Sequence, residues 1–148
     1  MNLDRVNNWL SLVANLGVLL GLIVLVLELQ QNTNLSKSDA YRETIQEIAD
    51  WRETFASNPY LNNCYEKYQE GGYDSVRDTE CRSIGWMINN IFGIYETAYF
   101  DNQYGFIGEA EWSRLVGAAC GHYSTAIEKG PNVGFISDEF RMFLDNSC

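Results

Sequence analysis

The chain has 148 residues, with ten Lys/Arg against twenty Asp/Glu, one His and four Cys, for a net charge of −10. That length holds one domain plus one anchor, and the acidic balance offers no basic face for nucleic acid or for lying flat on anionic lipid. A single histidine and the absence of a glycine-rich phosphate loop leave little material for metal, nucleotide or acyl-transfer chemistry, so neither an enzyme nor a cofactor is expected.

The first predicted element is an apolar helix. No charge occurs over residues 6–27, a span of 22 residues, which at about 1.5 Å per residue measures about 33 Å and fills a bilayer core of about 30 Å. Thirteen of the nineteen residues in 9–27 are Leu, Ile or Val. Each favours insertion by roughly 0.3–0.6 kcal/mol at the helix centre, enough to outweigh Ser11 and Asn15. Trp9 sits where an interfacial aromatic anchor belongs. The run is too long for a signal peptide and lacks a small-x-small cleavage site, so an uncleaved single-pass anchor over residues 1–30 is expected in the lipid bilayer. Gly17 and Gly21 form a G-x-x-x-G pair. At 100° per residue Ala14, Gly17, Gly21 and Glu28 lie within about 60° of one another, a small-residue face suited to helix association.

Residues 31–148 carry nine Lys/Arg and eighteen Asp/Glu, so the charge belongs to an acidic soluble domain. Asn32, Asn34 and Ser36 form a polar collar that either bends the helix or forms its interfacial end. Tyr41, Ile45, Ile48, Ala49, Trp51 and Phe55 then recur at helical spacing with charges between them. This amphipathic helix stops at Ser57-Asn58-Pro59, where Asn58 caps and Pro59 opens a short helix carrying Leu61, Cys64, Tyr65 and Tyr68 up to Gly71-Gly72. Ser75 with Asp78 resembles a capping box, which predicts a long core helix from there to about Asn102. Over residues 83–100 its only charge is Glu96. Asn89, Asn90 and Glu96 make this a buried core helix and not a second span. A turn around Gly105 and Gly108 leads to a helix with Trp112, Leu115, Val116, Ala119, Tyr123 and Ile127, ended by Gly130-Pro131. Ser137 caps a last helix with Asp138 and Glu139 in its first turn and Phe140, Phe143 and Leu144 on its apolar side. No stretch alternates with period two, so the expected fold is all-α: one transmembrane helix followed by a compact bundle of four to five helices.

Cys64, Cys81, Cys120 and Cys148 all lie beyond the anchor, and none has zinc-site spacing. Four cysteines allow three pairings. Joining sequence neighbours closes loops of about 17 and 28 residues, each stabilising by roughly 3–4 kcal/mol in the chain-entropy model. Disulfides place the domain in an oxidising compartment, the periplasm of a bacterium. The positive charges flanking the anchor, Arg5 against Lys37 and Arg42, are too even to fix its orientation.

Together, Glu28, Gln31 and Asn32 at the anchor's end, Ala40-Tyr41, Asn58-Pro59, the Y-E-x-A-Y-F run over residues 95–100, Trp112 and the E-F-R-x-F-L run over residues 139–144 resemble a widespread group of small bacterial single-span proteins. The resemblance covers nearly the whole chain. It implies an inner-membrane anchor and a helical domain, and no activity; the cysteines are not part of it.

Two polar residues warrant attention as sites. His122 lies two residues after Cys120, and positions two apart on a helix do not face each other, so the pair is not a catalytic dyad. Glu96, on an apolar helix, is a buried polar candidate that needs Arg114, Arg141, tyrosine hydroxyls or a proton to satisfy it. The expected function is that of an interaction protein or accessory subunit that self-associates, or docks on another membrane protein, through its transmembrane helix. The alternative is a membrane-tethered domain that binds or senses a small ligand near Glu96 and the tyrosines.

Overall fold

A computed structural model describes residues 3–130 and 134–148. Among these the chain is all-helical, with no strand: α1 (Leu3–Ala56), α2 (Pro59–Gly71), α3 (Ser83–Gln103), α4 (Glu109–Lys129) and α5 (Asp138–Ser147). Two single-turn 3-10 helices, Tyr73–Ser75 and Glu80–Arg82, join α2 to α3. The chain divides into two compact units, Met1–Ser36 and Lys37–Cys148, so α1 contributes to both. The change of polarity expected at residue 30 precedes the packing boundary at Ser36, because the collar stays helical and exposed.

Among its described residues, unit 1 is helix alone. One helix among the described residues is long and apolar enough to cross a membrane; the mean hydropathy of its most apolar 18-residue window is 2.7 and none of that window is buried.

Unit 2 is built by helix faces of period 3.6 closing on one core. From α1 it takes Thr44, Ile48 and Phe55, with Trp51 half-buried between them. Ile45 and Ala49, expected on that face, are exposed. They sit about 100° round the helix from Thr44 and Ile48, and the 44-48-51-55 stripe is the one that meets the bundle. On α3 the fully buried Ile84, Ile91, Phe92, Tyr95 and Ala98 form the centre of the core. On α4, Trp112, Leu115, Ala119, Tyr123 and Ala126 face inward, which turns Ile127 out to solvent. On α5, Phe140 and Leu144 are fully buried, each worth about 1.5–3 kcal/mol.

The ends of the helices follow local chemistry. The Asn58 side chain accepts from the amides of Tyr60 and Leu61, and Pro59 occupies the first turn, where its missing N–H costs nothing. Ser137 accepts from the Phe140 amide at 3.3 Å. Gly72 closes α2 at φ 69°, and a Cβ there would stand 2.8 Å from the Lys129 carbonyl oxygen. Pro131, expected to help end α4, lies outside the described residues.

The beginning of α3 corrects the sequence reading. Ser75 does not open it; its hydroxyl donates to the carbonyls of Lys67 and Gly72, folding the chain back on α2. Val76 is fully buried, the Thr79 hydroxyl accepts from the Cys81 amide, and α3 starts only at Ser83. The cause is the disulfide between Cys64 and Cys81, whose Cα atoms stand 5.2 Å apart, a separation a helix running on from Ser75 does not provide.

Candidate functional site

The apolar part of α1 is exposed along its whole length. Trp9 is 67% exposed and the large aliphatics after it are all at least half exposed. Ala14, Gly17, Gly21 and Glu28 are exposed with them. A Cβ added at Gly17 or Gly21 would meet nothing within 4 Å. The two glycines therefore do no packing work inside unit 1, while they leave a flat strip on which a second backbone has room to approach.

The cysteines pair as sequence neighbours. Cys64–Cys81 spans 17 positions, Cys120–Cys148 spans 28, and no free cysteine remains among the described residues. Both atoms of the first bridge belong to the core, with each residue 1% exposed, whereas Cys148 is at the surface. The first bridge fixes the α2-to-α3 connection and the second fixes α5 on α4.

Glu96 is half-buried, and its Oε1 accepts from the Ser137 amide at 2.7 Å, a partner not among those expected from sequence. Tyr95 and Tyr99 hold the inward positions, and Glu96 lies about 100° beyond Tyr95, at the core's edge. The contact ties α3 to the N-cap of α5. Two phenols complete that attachment, Tyr99 donating to Glu139 Oε1 at 3.2 Å and Tyr123 to Asp145 Oδ1 at 2.5 Å.

A contact with no sequence signature involves His122. Its Nδ1 lies 3.1 Å from the hydroxyl of the fully buried Tyr95, and its ring stands 5.6 Å from that of Trp51. Sequence reasoning placed Trp51 and Tyr95 on apolar helical faces and found no dyad partner for His122, and nothing in their spacing, on three different helices, shows that the three meet.

An open cleft of about 550 Å³ between α1 and α3 is lined by Glu47, Asp50, Asn90, Gly93, Ile94 and Thr97. No group of three or more His, Cys, Asp or Glu among the described residues is placed to hold a metal ion. No family model matches the chain, and no curated protein and no solved structure matches it either.

Proposed function

We propose that the chain is a single-span membrane protein that acts by association, through the face carrying Ala14, Gly17, Gly21 and Glu28, with a second copy or with a larger membrane complex. The disulfide-bonded domain would then stand in the periplasm of a bacterium, with the anchor in the inner membrane. One observation carries this reading: Gly17 and Gly21 are open on the helix surface with no neighbour within 4 Å, which is the opening that close helix packing in lipid uses. The two disulfides support an oxidising compartment. A tethered small-ligand site at Glu96 has less support, because that carboxylate is engaged by the Ser137 amide.

Replacing both Gly17 and Gly21 by Leu is expected to abolish association while leaving insertion intact, read by crosslinking and by size in mild detergent from native membranes. An unchanged complex would reduce the segment to a tether.

A further inference from the structure

His122 is the only histidine in the chain, and three helices converge on it. From α3, the Tyr95 ring stands 5.7 Å from the imidazole, and its hydroxyl is 3.1 Å from Nδ1. From α1, Trp51 packs at 5.6 Å, with its indole fixed by donation from Nε1 to the Met87 carbonyl at 2.8 Å. Arg52, the next residue of α1, brings its positive charge to bear on both the imidazole and the phenol. Tyr95 is fully buried. Its O–H is therefore satisfied only if it donates to Nδ1, which assigns the neutral imidazole its proton on Nε2.

Protonating the ring removes that arrangement. Nδ1 becomes a donor, the hydrogen of the fully buried Tyr95 loses its acceptor, and the new imidazolium is subject to the positive charge of Arg52. We propose that His122 is a proton-operated latch between α4 and the part of α1 over residues 37–56: neutral, it is fixed by Tyr95 of α3 and packs on Trp51 of α1; protonated, it loses the Tyr95 bond that positions it against Trp51 and is repelled by Arg52, which loosens α1. Because α1 also contains the apolar run, the helix released is the one that carries the anchor.

The charged and titratable groups shown to act on the imidazole are Arg52 from α1 and Tyr95 from α3. Burial first, and Arg52 second, hold the imidazole below its ordinary value of 6.5. Burial also pushes the Tyr95 phenol up, so it stays a donor. The sign follows. A group depressed in the folded state contributes stability that is present above its unfolded midpoint and lost as pH falls through the folded one. A titratable contact between α1 and α3 works in the opposite direction: Asp101 is pushed up by burial and by Glu43, so acid relieves that repulsion. Loosening of α1 on acidification is the sign expected of His122 and the opposite of that expected of Asp101.

The test uses the full chain in lipid nanodiscs between pH 7.5 and 5. The single imidazole is followed by NMR, and hydrogen exchange of residues 37–56 is corrected for the intrinsic pH effect. The expected result is a midpoint below 6.5, with protection of residues 37–56 falling through it by about tenfold for each pH unit between the folded and unfolded midpoints. His122→Gln should remove the fall. Arg52→Gln, which leaves the core intact, should raise the imidazole midpoint, and it serves as the readout if His122→Gln does not fold. An imidazole titrating at or above its ordinary value, unchanged protection through the titration, or a midpoint insensitive to Arg52→Gln would overturn the latch.

Discussion

Tyr68 pays for its position. The side chain is fully buried on α2, yet its hydroxyl has no hydrogen-bond partner among the described residues. Burial, with Tyr65 adding to it, pushes the phenol up to about 12. An unmet buried hydroxyl costs about 1–3 kcal/mol, so Tyr68→Phe is expected to raise stability by about 1 kcal/mol in chemical denaturation. Gly72 is the opposite case. At φ 69°, with the Lys129 carbonyl 2.8 Å from where a Cβ would stand, Gly72→Ala combines a left-handed backbone with a close approach to a main-chain oxygen. It should cost about 1–3 kcal/mol by the same measurement. Gly71-Gly72 is legible as a helix end from sequence. The crowding by Lys129 is not, because the two residues are far apart along the chain and meet only through the fold.

At the scale of elements, α5 is ten residues long and is held by a few identifiable ties. Tyr99 and Tyr123 donate to its carboxylates, and both phenols are raised above 10.0, first by burial and then by the hydrogen bond and charge of Glu139 and Asp145 respectively. Groups raised in the folded state contribute stability that is intact below the unfolded midpoint and lost as pH rises through the folded one. Melting temperature should therefore hold steady up to pH 10.0 and fall above it, in step with tyrosinate absorbance, and Tyr123→Phe should flatten part of that fall. Helix starts were legible where the cap is local: Asn58-Pro59 and Ser137 each satisfy amides within three residues. The Ser75 and Asp78 pattern misled because the same serine serves equally well to close a turn, and the decision between the two lay with a distant cysteine. Ile45 and Ile127 misled for a related reason. Periodicity fixes a stripe to within about one position, and tertiary contact chooses the edge of it.

For the whole molecule, the two bridges together are worth about 6–7 kcal/mol in the chain-entropy model, against the about 5–15 kcal/mol that stabilises a typical domain. Unit 2 is thus expected to require oxidation. Protein isolated under thiol-blocking conditions should take up alkylating label at four sites only after reduction, and material kept reduced should lose its cooperative thermal transition. The sequence reading left three pairings open, since spacing alone does not choose among them; the pairing of neighbours was one of those three. The helix over the apolar run needed no tertiary knowledge, because a helix satisfies its own backbone. The meeting of Trp51, Tyr95 and His122 was illegible, because it depends on how α1, α3 and α4 are rotated about their own axes.

The placement of the bridges also has a mechanical side. Cys64–Cys81 and Cys120–Cys148 join the helices from α2 onward, and neither has a cysteine on α1. A tensile load entering the domain at Lys37 is therefore borne by side-chain packing around Thr44, Ile48, Trp51 and Phe55, without a covalent link to share it. Pulled in that direction, residues 37–56 shear away while the rest keeps its cross-linked loops, and the contour length inside those loops stays hidden from the applied force.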